Sequence, residues 1–285
     1  MPEPTAWLRP DAAGCALRRT PPFVPLADMC LIAFAWNAHP DYRLVVAANR
    51  DEWHERPTAP AAWWDDLPQI LGGRDLRAGG TWLGVSRSGR FAALTNFRDP
   101  SDRKSDAPSR GRLVSNFLSG AESAHEYLLA LRKTADRYQG FNLLVGDGHA
   151  LYYFGSRIGE IFAVPPGVHA LSNHTLNEPW PKVEKAKSAL EAALRAKMPE
   201  EARQMAIYAL LSDATMAPDE ALPDTGVGQE WERVLSPALI VTEKYGTRCS
   251  TLLTIASSGE VAFEERSRDA LGRVAGIVTH RFTLA

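Results

Sequence analysis

CLIAFAW (residues 30–36) and RLVVAAN (43–49) are two apolar runs of strand length, separated by Asn37-Ala-His-Pro-Asp, whose Asn, Pro and Asp favour a turn. Together they predict a β-hairpin. RLVVAAN does not alternate polar with apolar residues, which predicts a strand buried on both faces, between a second sheet and a layer of helices. With 37–41 as the turn, Trp36 pairs with Tyr42, and counting outward places Cys30 opposite Ala48.

The same patterns recur outward from this hairpin. TWLGVS (81–86) and RFAALTN (90–96) form a second hairpin candidate, and FNLLVGD (141–147) and LYYFGS (151–156) a third. Between these two pairs, Leu113, Phe117, Leu118, Tyr127, Leu128 and Leu131 have helical spacing with a break near Gly120, so two helices are expected over 111–137. Pro181 suits the first turn of another helix, with Val183, Ala186, Leu190, Ala193 and Leu194 as its apolar stripe, and a further helix fits 201–212. The chain returns to strands at TRCSTLLTIA (247–256), EVAFEER (260–266) and 274–283. Strands, paired helices and strands again predict an α+β fold, a four-layer αββα sandwich of two antiparallel sheets flanked by helices, in one domain over 29–285. Residues 1–28 are proline-rich and without helix or strand period. They are expected to be a disordered extension or to precede a true start at Met29.

With 45% hydrophobic and 23% charged residues, the composition is that of a globular protein. The net charge of -2 gives no electrostatic footprint for nucleic acid, so a small-molecule or acyl ligand is the expected partner. No run has the length of a transmembrane segment, and residues 1–28 lack the apolar core of a secretory signal, which makes the cytoplasm the expected location. Cys15, Cys30 and Cys249 fit neither a disulfide framework nor a CxxC zinc site, and the histidines lack metal-ligand spacing, so no metal is expected and no cofactor is required.

Cys30 reads most simply as a small core side chain at the start of a strand. A different chemistry opens if Met29 is the initiator, since its excision leaves Cys30 with a free α-amine. That amine, with a reference pKa of about 7.7–8.0 against about 8.5 for the thiol, can take the thiol proton. Asn49-Arg50-Asp51-Glu52 then folds back beside the cysteine, where Asp51 holds the ammonium form and Arg50 orients a substrate carbonyl or carboxylate. Neighbouring strand residues point to opposite faces, so either the strand ends by Asn49 or only one of Arg50 and Asp51 faces Cys30. Asn173, in the loop Leu171-Ser-Asn-His, is a candidate amide donor to an oxyanion. Arg248 is an unusual charge at the entry to a strand unless it faces a cleft. Gly72-Gly-Arg-Asp and Gly79-Gly-Thr-Trp-Leu-Gly suit close backbone approach or tight turns, and Trp53, Trp63, Trp64 and Trp82 are pocket or core aromatics.

Met-Cys-Leu-Ile (29–32), Ala-Asn-Arg-Asp-Glu (48–52), Gly-Gly-Arg-Asp (72–75), Gly-Gly-Thr-Trp-Leu-Gly (79–84), Leu-Thr-Asn-Phe-Arg (94–98), Phe-Asn-Leu-Leu-Val-Gly-Asp (141–147), Leu-Ser-Asn-His (171–174) and Tyr-Gly-Thr-Arg-Cys-Ser-Thr (245–251) resemble, in order, the NRDE family, which includes transport and Golgi organisation protein 2. The resemblance implies an N-terminal-nucleophile hydrolase type of fold, the αββα sandwich. More distantly the pattern is similar to cysteine amidohydrolases such as penicillin V acylase, bile salt hydrolase and acid ceramidase. That similarity implies catalytic roles for Cys30, Arg50, Asp51, Asn173 and Arg248.

The expected function is therefore a cysteine N-terminal hydrolase acting on a linear amide or thioester. The alternative, drawn from the family's association with haem trafficking and with lipid or acyl-CoA metabolism, is a non-catalytic carrier of haem or an acyl-CoA-like lipid in the same cleft.

Overall fold

The computed structural model describes residues 18, 20, 29–102, 104 and 106–284. The expectation for residues 1–28 falls, except at Arg18 and Thr20, outside the described residues. Six strands come first: β1 (Met29–Trp36), β2 (Tyr42–Trp53), β3 (Thr58–Trp63), β4 (Ile70–Asp75), β5 (Leu83–Ser86) and β6 (Phe91–Asn96). Helices α1 (Gly111–Ser119) and α2 (Ala124–Arg132) follow, then β7 (Phe141–Gly146), β8 (Leu151–Gly155), β9 (Ile161–Ala163) and β10 (Gly167–Leu171). After α3 (Pro181–Arg195), α4 (Glu200–Leu211) and the short α5 (Gln229–Val234), the chain closes with β11 (Tyr245–Ala256), β12 (Glu260–Arg268) and β13 (Val274–Thr283).

The strands make two antiparallel sheets, ordered β10-β1-β2-β11-β12-β13 and β3-β4-β5-β6-β7-β8-β9. Alternation along each strand decides what each face buries. Phe34, Val46, Leu253 and Phe263 of the first sheet meet Leu83, Phe91, Leu144 and Tyr153 of the second in the central core. The opposite faces carry Leu31, Ala33, Val45 and Leu252 against Val183, Leu190 and Leu211 of α3 and α4, and Ala92, Leu143 and Val145 against Leu113, Phe117 and Leu128 of α1 and α2. The result is the four-layer αββα arrangement that the order of elements predicts. β2 is buried on both faces because it lies second from β10, between β1 and β11, with a sheet on one side and helices on the other.

The hairpin register differs from expectation. Cys30 pairs with Arg50, not Ala48, and Trp36 with Leu44. Tyr42 begins β2 but pairs with Ala256 of β11, so the closing bond to β1 runs from the Asn37 amide to the Arg43 carbonyl at 2.8 Å. Asn37 accommodates the turn with a left-handed φ of 45°, which asparagine tolerates. A two-residue shift preserves the face of every side chain. Nor does the strand end at Asn49. It continues to Trp53 because β11 supplies partners as far as Tyr245.

Among the elements that depart from the sequence reading are β4, β3 and α5. Gly72-Gly73-Arg74-Asp75 lies in strand β4, where a Cβ at Gly73 would stand 2.2 Å from the Trp82 ring, so glycine is required there by close packing. The edge strand β3 is interrupted in register between Ala59 and Ala62, around Pro60, which hides its pattern. Helix α5 has only six residues, too few to show a period.

Candidate active site

The four residues Asn49 to Glu52 alternate between the two faces of β2. Arg50 and Glu52 point between the sheets and Asn49 and Asp51 toward the helices. Arg50 stands opposite Cys30 on β1 and opposite Cys249 on β11. Its guanidinium meets Glu52 Oε2 at 3.3 Å, donates to Thr58 Oγ1 and lies 4.5 Å over the Trp82 ring. Arg56 reaches the same Glu52 oxygen at 3.3 Å and pairs with Asp75 at 2.6 Å. A chain of alternating charges thus fixes the Arg50 fork.

Cys30 is 3% exposed, and its carbonyl accepts a hydrogen bond from Ser172 Oγ at 3.0 Å. Cys249 is also buried and free, and burial pushes its thiol well up. With Arg50 on the strand between them, the two cysteines are about two strand spacings, roughly 10 Å, apart. That exceeds the reach of a disulfide.

Asp51 faces away from the Cys30 thiol and into a buried polar cluster. Its Oδ1 accepts from Thr247 Oγ1 at 2.6 Å, while Oδ2 has no hydrogen-bond partner. Burial raises its carboxyl to about 6, against the opposing pull of Lys182, the Thr247 hydroxyl and Arg50. Lys182, in the first turn of α3, is buried with Nζ unpartnered, and burial with the nearby Arg98 brings it down to about 8. Arg98 bonds Glu232 of α5 at 2.5 Å and lies 4.5 Å over the Trp180 ring. Only one of Arg50 and Asp51 can face the thiol, and it is Arg50. Asp51 instead pairs with Met29 across the strands, beside the backbone nitrogen end of Cys30.

A cleft of about 950 Å³ opens at the strand ends, lined among others by Arg50, Glu52, Trp53, Trp82, Leu94 and Asn96. Ala78 and Thr81, which flank Gly79-Gly80, line one wall beside the start of α1, and a Cβ on Gly80 would stand 2.4 Å from the Gly111 backbone. Opposite lie His54 and Lys244, joined by the His54 amide donating to the Lys244 carbonyl. Beside them, the described residues Arg18 and Thr20 bond to Glu243 and Lys244 through backbone and side chain. Asn173 does not line the cleft. Its Nδ2 donates to the carbonyl of cleft-lining Asn96 at 3.0 Å, and its Oδ1 accepts from Ser172. Arg248 is the extra residue of a bulge between Thr247 and Cys249. It donates to the carbonyls of Trp53 and Arg56, so it holds the cleft wall from behind.

The family model for Transport and Golgi organisation 2 matches residues 29–270. The chain belongs to the Transport and Golgi organisation 2 family. Similar relatives are the Transport and Golgi organization protein 2 homologs of Bos taurus, 37% identical over 84% of this chain and 93% of that protein, and Homo sapiens, 36% identical over the same shares. Among solved structures, a Caenorhabditis elegans N-acylethanolamine-hydrolyzing acid amidase ortholog aligns over 79% of this chain and 92% of its own at 10% identity and a TM-score of 0.43.

In this family member the sequence reading placed Glu52 in the polar cluster beside Cys30 without a role, and missed Asn96, Arg98, Lys182 and Glu232. Asn96 and Arg98 sit in the Leu-Thr-Asn-Phe-Arg stretch, where a polar end to an apolar strand was the available signal. Lys182 and Glu232 carried none, since a charged residue on an amphipathic helix reads as solvated and the six-residue α5 shows no period. Trp82 and Trp53 do line the cleft, whereas Trp64 packs against α1 and α2 and Trp63 against Phe282.

Proposed function

We propose that this family member is a cysteine N-terminal hydrolase for linear amides or thioesters, active in a form whose first residue is Cys30. The observation that carries it is the division of β2: cleft-lining Arg50 stands opposite Cys30, which is buried just behind the lining, and Asp51, with an unpartnered buried oxygen, lies at the nitrogen end of the same residue. In the proposed reaction the α-amine takes the Cys30 proton and the thiolate bonds to the substrate carbonyl carbon. The Asn96 side chain, whose backbone Asn173 holds, meets the resulting oxyanion, and Arg50 orients the acyl group. Collapse expels the amine or thiol, protonated by the α-ammonium. Water, deprotonated in turn by the amine, then releases the carboxylic acid and restores the thiol. Arg248 supports the cleft wall and is a positioning residue in this scheme.

The donor set of the cleft favours this over haem. Among its described lining residues the sole histidine, His54, has Nε2 3.1 Å from the Thr242 carbonyl, and no cysteine, methionine or tyrosine stands beside it. An acyl-lipid carrier is the remaining alternative, since it would use the same space. Incubating the chain that begins at Cys30 with a panel of linear amides and thioesters, and following product release, separates the two. Turnover that disappears in Cys30→Ala supports hydrolysis. Saturable binding without turnover, retained in Cys30→Ala, overturns it in favour of the carrier.

A further inference from the structure

The buried cluster around Asp51 holds more charge than the chemistry above uses. Lys182 comes from α3, Asp51 from β2, Arg98 from the segment after β6, and Glu232 from α5, and the field of Cys30 on β1 also reaches the lysine. The charges of Arg268 and Arg50 also act on Asp51, and Tyr245 acts on Arg98. Arg98 and Glu232 neutralise each other through their 2.5 Å ion pair. Lys182 and Asp51 are left with opposite charges and no ion pair of their own among the described residues, and each has a buried polar atom without a hydrogen-bond partner, as do Nε and Nη2 of Arg98. Buried polar atoms are nearly always bonded, so a pair kept open in this way marks a site with a role beyond packing.

We propose that Lys182 is a positioning residue for the nucleophile, whose buried ammonium offsets Asp51 so that the Cys30 amine–thiol pair gives up its proton near neutral pH. The proposal rests on the hydrolase reading. A carboxylate alone beside a new α-amine would hold it as ammonium and deny the thiol its base. An ammonium in the same buried cluster offsets this pull, while Asp51 Oδ2 still fixes where the amine sits. The position of Lys182 follows from sequence: Pro181 opens α3, which puts the next side chain in the first turn, and Trp180 stacked under Arg98 holds that turn to the cluster. Burial brings Lys182 down to about 8, so it is mostly charged at neutral pH.

The test is the pH profile of Cys30 acylation by a thioester probe in the chain that begins at Cys30, read as the apparent inflection of the amine–thiol pair. Lys182→Met is expected to move the inflection up by about one unit, slowing acylation at pH 7 by about tenfold. Lys182→Arg is expected to restore the wild-type profile. Asp51→Asn, which leaves Lys182 unopposed, is expected to move the inflection down, and it supplies the test if Lys182→Met does not fold. An inflection unmoved by these substitutions overturns the role of Lys182, even if folding yield falls. If instead the chain that begins at Cys30 acylates no faster than the full chain, the hydrolase reading itself fails.

Discussion

Cys30 and Arg50 face each other across β1 and β2 on the inner face of the sandwich, and the guanidinium is wedged between Glu52 and the Trp82 ring. Every group in that row is buried, so each charge depends on the next. Removing Arg50 as Arg50→Ala leaves Glu52 with Arg56 alone and empties the face of Trp82. A loss on the order of 3 kcal/mol is expected in urea unfolding. Arg50→Lys keeps the charge without the planar fork and is expected to lose less than half as much. Equal losses for the two would show that packing volume, not charge, governs the position.

Arg98 and Glu232 form the other enclosed pair. Arg98→Met or Glu232→Gln alone strands a buried charge and is expected to cost about 3–5 kcal/mol. The double variant is expected to cost clearly less than the sum, giving a large coupling energy in a double-mutant cycle. Additive losses would contradict the pairing.

Asp51 gives a pH signature. Its carboxyl titrates near 6 in the fold because of burial, against about 3.9 in an unfolded chain. The fold therefore holds the proton more tightly, and the contribution to stability is full below about pH 3.9 and lost as pH rises through about 6. Relative to Asp51→Asn, the wild type is expected to lose unfolding free energy between those values and to run parallel just above them. Urea titrations across that range check the slope, and a rise in its place contradicts the assignment.

The glycine pair between cleft-lining Ala78 and Thr81 separates space from backbone conformation. At Gly80 a Cβ would collide with the Gly111 backbone. Gly80→Ala is therefore expected to cost about 1–3 kcal/mol and displace the start of α1. At Gly79 nothing lies within 4 Å, but φ is +77°, so Gly79→Ala is expected to cost about 1 kcal/mol with the cleft intact. Thermal unfolding ranks the two. The reverse order would place the tight approach elsewhere.

Much of the architecture was legible because periodicity reports burial directly. Val45 and Val46 are both apolar because one faces helices and the other a sheet, and Pro181 announces α3. The hairpin register was not legible, since Tyr42 pairs with β11, and a turn counted from one strand pair ignores the third strand. At the site, sequence found Arg50 and Asp51 and the rule that they diverge. It did not find that Asn173 bonds the Asn96 carbonyl, or that Arg248 sits in a bulge, because both depend on contacts between distant segments. Lys182 lay beyond reach for a simpler reason: its helix looks amphipathic and ordinary until the cluster that receives the lysine is seen.

The most direct test of the central claim is intact-mass and peptide mapping of the chain that begins at Cys30 after exposure to a β-lactone acyl electrophile. A single adduct on Cys30, forming much faster than on the full chain and absent from Cys30→Ala, is the predicted result. No adduct, or equal labelling of the full chain and the Cys30→Ala variant, would contradict a nucleophile at Cys30.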